Sequence, residues 1–234
     1  SNALIEYQIK RLFCGTLDPN PKINGRGIKL LKKAGIKTSI GLLKEECKEL
    51  NRIFFTNQKK FRPYIILKSA QSLDGKIALQ SGESNWITSL ESRKNSHYIR
   101  SRVKGILIGR ATAEQDNPSL SVRLTRNDLG LSVGETIIQP AKIILGNLKK
   151  SKKVSNIFSK NAKIIIGSSQ QVKKSNNVEY LEYKKKNFLE DFLQDLLDRN
   201  ISSILVEGGH KTLNTFIVNN LFDELVLYTA PIFL

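Results

Sequence analysis

Residues 204–213 read ILVEGGHKTL and hold the most informative change of pattern in this 234-residue chain. The apolar run 204–206 is typical of a buried strand, and a helical pattern begins directly after the two glycines. Glycines let a backbone approach a ligand closely, and a helix N-terminus offers unpaired N–H groups to a phosphate. Glu207 would then face the crevice in which open α/β sheets bind ligands. A tight strand-to-helix turn without a ligand explains the two glycines equally well.

The alternation of strand and helix continues on both sides of this stretch. Strands are expected at 63–69, 105–109, 141–145, 163–166, 178–181, 203–206 and 223–230. Helices are expected at 88–103, from 111 onward, at 187–199 and from 210 to about 218. The first of these helices would begin at the capping-box spacing of residues 88–91. This alternation predicts an α/β fold with a mostly parallel sheet flanked by helices.

Residues 7–61 form a smaller block of their own. Strands are expected at 8–14 and 36–41, and helices at 25–34 and 43–55. This β-α-β-α pattern is small for a complete domain, and the polar, basic residues 57–61 resemble a linker. Ser1-Asn2-Ala3 resembles the remnant of a removed purification tag. We therefore predict a tag remnant at 1–3, the remnant of one domain with its linker at 4–61, and a second domain at 62–234.

Composition excludes several classes of protein. A hydrophobic fraction of 40% and a charged fraction of 25% fit an ordinary globular domain. No apolar run approaches the length of a transmembrane helix. Cys14 and Cys47 lie far apart, which favours a reducing cytoplasm over a disulfide framework. His97 and His210 share no ligand spacing with either cysteine, so no metal site is predicted.

The net charge of +17 leaves three kinds of partner open: a nucleic acid, an acidic membrane surface or a polyanionic small substrate. The lysines are spread over many segments and form no single stripe interleaved with aromatic residues. This distribution favours a solvated, lysine-rich surface. It lacks the recognition-helix pattern of a nucleic-acid-binding module.

Lys68 stands at the end of an apolar strand, in the sequence KSAQSLDGKIA at 68–78. Burying an ammonium group is costly unless it meets an anion, so such a lysine is uncommon. Lys68, Ala70 and Ser72 fall on one face of the extended strand. Asp74 and Gly75 by themselves are most typical of a turn.

Two polar loops carry further candidates. The first, GESNWIT at 82–88, holds Trp86, although a lone tryptophan is more often a packing anchor than a platform for a ligand. The second, 109–123, follows a predicted central strand and is rich in hydrogen-bond donors. Arg123 at its end and Arg100 on the preceding helix have the chemistry to hold a phosphate bidentately, although most surface arginines are simply solvated.

The order of these motifs resembles the reductase domain of bifunctional riboflavin-biosynthesis deaminase/reductases of the RibD type. The resemblance runs from about residue 62 to the end through the segments 68–78, 82–88, 109–123, 205–215 and 223–231. Residues 7–61 resemble the last part of that family's deaminase domain, which is cytidine-deaminase-like, notably DPNP at 18–21 and EEC at 45–47. The family's zinc-binding His-x-Glu and Pro-Cys…Cys elements do not occur in this sequence. We therefore expect no deaminase activity from it, and a reductase domain that is incomplete at its C-terminus.

The resemblance implies a dihydrofolate-reductase-like fold with NADPH as the hydride donor. The implied substrate is 5-amino-6-(5-phosphoribosylamino)uracil, which is reduced at ribose C1′ to the ribitylamino product. The implied setting is the cytoplasm, as a homodimer or a higher homo-oligomer, without nucleic acid or membrane as a partner. The parent chain of such a fragment would also be a zinc pyrimidine deaminase.

Site residues are carried over position by position. The resemblance implies two catalytic residues, Lys68 and Glu207. It implies substrate contacts from Ser84, Arg100, Leu120, Arg123 and Glu207. It implies cofactor contacts from Ala70, Trp86, Thr112, Asp116, Asn147, Gly208, Gly209, His210, Lys211, Thr212, Leu213, Asn214 and Thr215. Asn147 stands where the family often has a serine near the cofactor 2′-phosphate.

Three alternatives stay open at this point. The chain could be a related NADPH-dependent reductase of another pteridine or pyrimidine, and loss of dependence on a substrate phosphate would favour that reading. It could be a basic nucleic-acid-binding module, which steeply salt-dependent binding to any duplex would support. It could also be a non-catalytic remnant.

Overall fold

The computed structural model of the chain describes residues 1–79, 87–148, 156–158, 163–168, 178–183 and 187–234. The chain forms two units, Ser1–Arg62 and Pro63–Leu234. Within the described ranges, no helix has the length and apolar character needed to cross a membrane. The predicted site residues Ser84 and Trp86 lie outside the described residues.

The first unit has six elements. They are α1 (Asn2–Glu6), β1 (Arg11–Cys14), α2 (Arg26–Lys33), β2 (Lys37–Ile40), α3 (Lys44–Leu50) and α4 (Arg52–Lys60). Strands β1 and β2 pair in parallel. Helix α1 contains Asn2 and Ala3 of the predicted tag remnant. Gly35 follows α2 with a φ of +80°, the left-handed conformation in which glycine commonly ends a helix.

The prediction of one helix at 43–55 was wrong, because the segment forms two helices that meet at Asn51. Asn51 leaves the helical conformation with φ −104° and ψ 19°. Its side-chain Nδ2 donates to the carbonyl oxygen of Cys47 at 2.8 Å. Asparagine side chains compete with the backbone for hydrogen bonds in this way, which explains the break. The predicted β-α-β-α block is thus β-α-β-α-α, preceded by a short helix.

The second unit contains the main sheet. Its elements are β3 (Tyr64–Gln71), α5 (Leu90–Arg102), β4 (Gly105–Gly109), α6 (Arg110–Asp116), β5 (Ala141–Leu145), β6 (Ile164–Ser168), β7 (Val178–Glu182), α7 (Phe188–Asp198), β8 (Ser203–Gly208), α8 (His210–Val218) and β9 (Glu224–Thr229). The strand order is β7-β6-β5-β4-β8-β3-β9, and every described pair is parallel. The predicted fold class, a mostly parallel sheet flanked by helices, is confirmed.

The start of α5 differs by one residue from the predicted capping box. Ser89 caps the helix in place of Thr88, because its Oγ accepts the backbone N–H of Ser92 at 3.2 Å. Ser89 is extended, with φ −64° and ψ 169°, as an N-cap residue should be. Thr88, which precedes the cap, lines the cleft described below.

One face of the sheet packs against α7 and α8 to form the core. The strands contribute Ile65, Leu67, Leu107, Ile143, Ile204 and Val206, and the helices contribute Phe192, Leu193, Leu196 and Phe216. All of these side chains are buried. Because successive strand residues point to opposite faces, Ile66 and Lys68 of β3 lie on the other face, and Lys68 comes where the strand leaves the core.

We expect Gly167→Ala to destabilise this core. A Cβ atom at Gly167 would lie 2.6–2.9 Å from ring atoms of Phe192, which is fully buried. Overpacking of this kind costs about 1–3 kcal/mol of unfolding free energy, measurable by urea denaturation. In a Phe192→Leu background, Gly167→Ala should lower the unfolding free energy by clearly less, because the ring atoms that the added Cβ would contact are gone. Equal costs in the two backgrounds would contradict this packing.

Candidate active site

A cleft of about 670 Å³ opens at the carboxyl ends of β3 and β8, beside α6 and the start of α8. Its volume is in the range of small-molecule sites. Of the predicted site residues, ten line it: Lys68, Ala70, Thr112, Asp116, Arg123, Glu207, Gly208, Gly209, His210 and Leu213. Parallel strands direct their carboxyl ends to one edge of the sheet, which is why segments far apart in sequence meet here.

Glu207 occupies its position through a bulge in β8. Leu107 of β4 pairs with Val206, whereas Ile108 pairs with Gly208, so that Glu207 is an extra residue in the ladder. Bulges of this kind re-aim a side chain and are common beside active sites.

The Glu207 carboxylate forms a two-pronged ion pair with Arg100 of α5. Arg100 Nε donates to Oε1 at 2.6 Å, and Nη2 donates to Oε2 at 2.5 Å. The Arg100 and Glu207 side chains are 13% and 8% exposed, so water screens the pair weakly. Arg100 Nη1 also donates to the carbonyl oxygen of Ser121 at 3.0 Å. The Arg100 fork is therefore directed at Glu207 in this structure, and its contact with a substrate phosphate stays a prediction.

Lys68 lies half-buried on β3 beside this ion pair. Burial lowers the pKa of its ammonium group; Glu207 opposes the shift and Arg100 adds to it. The Lys68 Nζ also lies 5.7 Å from the centre of the Tyr228 ring on β9. A cation can lie against an aromatic face at this distance. The result is an ammonium group held at the cleft that gives up its proton more readily than a lysine in water.

The glycine pair between β8 and α8 forms a close-packed cradle. Gly209 has a φ of +67°, and a Cβ there would lie 2.7 Å from Thr112 Oγ1. A Cβ at Gly208 would lie 3.0 Å from Thr112 Cγ2. In the described structure no side chain caps α8. The Thr212 N–H donates to the Gly209 carbonyl oxygen at 2.9 Å, and the N–H groups of His210 and Lys211 are left to other acceptors.

Several predicted site residues do not line the cleft. Lys211, Asn214 and Thr215 are exposed on α8, and the Thr215 hydroxyl donates to the Lys211 carbonyl oxygen. Thr212 is buried, and its Oγ1 occupies the space where a Cβ of Gly109 would be, at 2.2 Å. Within 208–215, the cleft is therefore lined by the first three residues and Leu213. Thr212 is buried, and the other three residues are exposed.

Leu120 and Asn147 also lie away from the cleft lining. Leu120 is 2% exposed and has a φ of +47°, a strained conformation for a leucine. Asn147 follows β5, and its Oδ1 is buried with no hydrogen-bond partner within the described part of the chain.

Eight lining residues were not predicted. They are Ser69, Ile77, Ala78, Leu79, Ile87, Thr88, Arg93 and Gln115. Six of them lie inside the motifs 68–78, 82–88 and 109–123, and Leu79 directly follows the first motif, so membership of a motif was the available signal. Gln115 directly precedes the predicted Asp116 on α6. Arg93 on α5 lies outside the motifs, about two helical turns from Arg100, and its side chain resembles those of any polar helix surface. Among the described residues, no group of three or more His, Cys, Asp or Glu side chains is placed to hold a metal ion.

Comparison with known proteins gives a consistent set of relatives. The chain is 39% identical over 237 residues to the riboflavin biosynthesis protein RibD of Aquifex aeolicus, covering 99% of this chain and 64% of that protein. The structure of Acinetobacter baumannii RibD (form 1) superposes with a TM-score of 0.86 at 30% identity, covering 100% of this chain and 64% of that one. A Thermotoga maritima diaminohydroxyphosphoribosylaminopyrimidine deaminase/5-amino-6-(5-phosphoribosylamino)uracil reductase superposes with a TM-score of 0.78 at 35% identity, covering 93% and 59%.

The chain thus spans a little under two thirds of the length of these relatives. The model of the RibD C-terminal domain matches residues 63–234, which is the whole second unit. On these grounds the chain belongs to the RibD C-terminal domain family.

Proposed function

We propose that this chain is a riboflavin-biosynthesis reductase, which reduces 5-amino-6-(5-phosphoribosylamino)uracil at ribose C1′ with NADPH. Family membership supports the reaction class. The single observation that carries the proposal is the cleft arrangement: Lys68 beside the Glu207–Arg100 ion pair, next to the glycine cradle of α8. A proton-donating group, Lys68, and a helix N-terminus that can bind an anion line the same cavity, which has a suitable size for a small molecule.

The residues present fit a dinucleotide. A phosphate needs close approach to backbone N–H groups, and Gly208 and Gly209 leave room that a Cβ would fill. The first turn of α8 supplies the N–H groups, and Thr112 adds a hydroxyl against the cradle. When bound, NADPH would supply a hydride for C1′ of the ring-opened imine form of the substrate. We infer that Ala70, Asp116 and His210 complete the contacts along the cleft wall.

Lys68 is the proposed proton donor. Hydride addition at C1′ leaves an electron pair on the attached nitrogen, and the product amine needs one proton there. The Lys68 ammonium group is a suitable source because burial has lowered its pKa. Arg100 cannot replace it, since a guanidinium does not release its proton in this pH range.

Glu207 is the proposed acceptor for ribose hydroxyl groups. A carboxylate has about four acceptor positions, and Arg100 uses two of them. The remaining lone pairs can accept hydroxyl hydrogen bonds, while the Arg100 fork fixes the orientation of the carboxylate. Arg123, the predicted arginine that lines the cleft, is the proposed ligand of the substrate phosphate. Ser84, Leu120, Trp86 and Asn147 stay predicted contacts.

We expect Gly209→Ala to weaken NADPH binding by roughly tenfold or more, which is about 1.4 kcal/mol. The added methyl group would collide with Thr112 Oγ1 and would strain the left-handed backbone at φ +67°. Isothermal titration calorimetry measures the Kd directly. Gly134→Ala is the matched control, because Gly134 also has a positive φ, +95°, but open space around it. If both variants bind NADPH as tightly as the parent chain, the cradle assignment fails.

The function itself is tested by NADPH oxidation in the presence of the phosphoribosylamino-pyrimidine. We expect oxidation that requires the pyrimidine, that is much slower with NADH, and that yields the ribitylamino product by mass spectrometry. Binding of NADPH without any reduction of this pyrimidine would contradict the proposal. Equal rates with an unphosphorylated analogue would favour a reductase of another pyrimidine or pteridine.

We further propose that residues 4–61 are the end of a deaminase domain, with the reductase domain beginning at about residue 62. Support comes from the separate first unit and from a relative whose name includes a deaminase. We also propose that the enzyme is cytoplasmic and homo-oligomeric, as the resemblance of its sequence implies.

A further inference from the structure

His97 on α5 is faced by one residue, Arg123, at both of its ring nitrogens. The backbone nitrogen of Arg123 lies 3.2 Å from Nδ1. The Nε and Nη2 atoms of Arg123 each lie 3.3 Å from Nε2. Arg123 itself is exposed and lines the cleft, so this contact joins α5 to the proposed phosphate ligand.

Both contacts come from N–H donors, and a neutral imidazole has one acceptor nitrogen. Only one of the two contacts can therefore be a hydrogen bond. With the ring proton on Nε2, the backbone N–H of Arg123 is satisfied and the guanidinium is left without a bond to the ring. With the ring proton on Nδ1, the guanidinium is bound and the backbone N–H is not. An imidazolium would satisfy neither contact.

Burial and the cations around His97 keep the ring neutral. Burial is the largest effect, and the neighbouring cations Arg100, Arg123 and Lys68 add to it, against the opposing effect of Glu207. Together they lower the pKa of His97 to about 4. At neutral pH the ring is therefore an uncharged acceptor beside a cationic arginine.

The backbone of the segment around Arg123 is fixed residue by residue. Ser121 accepts from Arg100 through its carbonyl oxygen, and Val122 donates its N–H to Gln139 Oε1 at 2.8 Å. A bond from the Arg123 N–H to His97 Nδ1 continues this series. The backbone N–H of Arg123 is held in place and cannot reorient toward another acceptor. The exposed guanidinium of Arg123 can instead bind an anion in the cleft.

We propose that His97 is a positioning residue for substrate phosphate binding: its Nδ1 accepts the backbone N–H of Arg123 and leaves the guanidinium free for the phosphate. The inference rests on the proposed function, in which Arg123 binds that phosphate. His97 itself touches no reacting atom.

Three substitutions separate the two contacts. Asparagine keeps an acceptor close to the position of Nδ1, whereas glutamine places its amide near the position of Nε2, and alanine removes both. We expect His97→Asn to keep KM for the pyrimidine within about threefold of the parent chain. We expect His97→Gln and His97→Ala to raise KM by roughly tenfold, with a smaller change in kcat and no change in the Kd of NADPH.

Calorimetric titration with ribose 5-phosphate, with ribose as the control ligand, tests the inference without turnover. The expected result is roughly tenfold weaker binding to His97→Ala and near-parent binding to His97→Asn. If the parent chain reduces the pyrimidine but all three variants bind ribose 5-phosphate as tightly as the parent chain does, the inference is overturned and the proposed function stands. If His97→Asn is as weak as His97→Ala, the Nδ1 contact is not the important one and the inference is again overturned. If the parent chain neither binds ribose 5-phosphate nor reduces the pyrimidine, the proposed function is contradicted, and the inference that rests on it is overturned as well.

Discussion

Glu207→Gln is expected to lower kcat/KM for the phosphoribosylamino-pyrimidine by about a hundredfold, the scale of losing hydrogen bonds to a charged acceptor. Glutamine keeps the shape of the side chain but turns an NH₂ group toward Arg100, whose fork then loses its carboxylate. Arg100 becomes an uncompensated cation beside Lys68, and the ribose hydroxyls exchange a charged acceptor for an amide that has one acceptor oxygen. Steady-state kinetics with the pyrimidine measure the effect.

The same substitution is expected to reduce the unfolding free energy by about 3 kcal/mol, because breaking a buried ion pair leaves one charge unpaired. Glu179→Gln is the control, since it breaks the more exposed ion pairs with Arg199 and Lys163 away from the cleft. It should cost about 1 kcal/mol or less and leave activity unchanged. If Glu207→Gln keeps full activity, Glu207 has no place in substrate binding.

Lys68→Met is expected to lower kcat by about 10²–10⁴-fold, the usual contribution of a positioned proton donor. Methionine fills the same space without a charge, so KM should change little. Lys68→Arg keeps the charge but holds its proton, and we expect it to stay nearly as slow as Lys68→Met. Rapid-quench measurement of a single turnover reports this step directly.

The pH dependence provides a second measurement on Lys68. The donor must be protonated, so the rate should fall as pH rises through its pKa, and burial moves that fall below the 10.5 of an ordinary lysine. Lys68→Arg should lack this fall. Lys104→Met, on the exposed residue just before β4, is the control and should match the parent chain. Recovery of the parent rate by Lys68→Arg would show that the charge alone matters and would contradict the proton-donor role.

Much of the sheet could be predicted because most of its strands contain a short apolar run, even where a charged residue such as Lys142 of β5 interrupts it. The bounds of β4 and β5 agree with the predicted 105–109 and 141–145, since polar or turn residues flank both runs. The break at Asn51 could not be predicted, because the apolar spacing of Leu43, Cys47, Leu50 and Phe54 continues across it. A single side-chain hydrogen bond decides that break, and periodicity does not report it.

The site was predictable where chemistry and strand ends coincide. Lys68 is a charge in an apolar strand, and Glu207 precedes two glycines at a strand end, so both stood out in the sequence. The Arg100–Glu207 pair joins residues 107 positions apart and depends on a bulge opposite Leu107 and Ile108. The contact of His97 with Arg123 depends on how α5 lies against a loop. Such tertiary contacts leave no local pattern to detect.

The most direct test of the central claim follows the hydride itself. The chain is incubated with the phosphoribosylamino-pyrimidine and NADPH that carries deuterium at nicotinamide C4, in each of the two stereospecific labels. We predict that one label transfers deuterium to C1′ of the ribityl chain, detected by NMR as loss of one C1′ proton signal. Oxidation of both labelled cofactors without deuterium at C1′, or deuterium on the pyrimidine ring, would contradict the account.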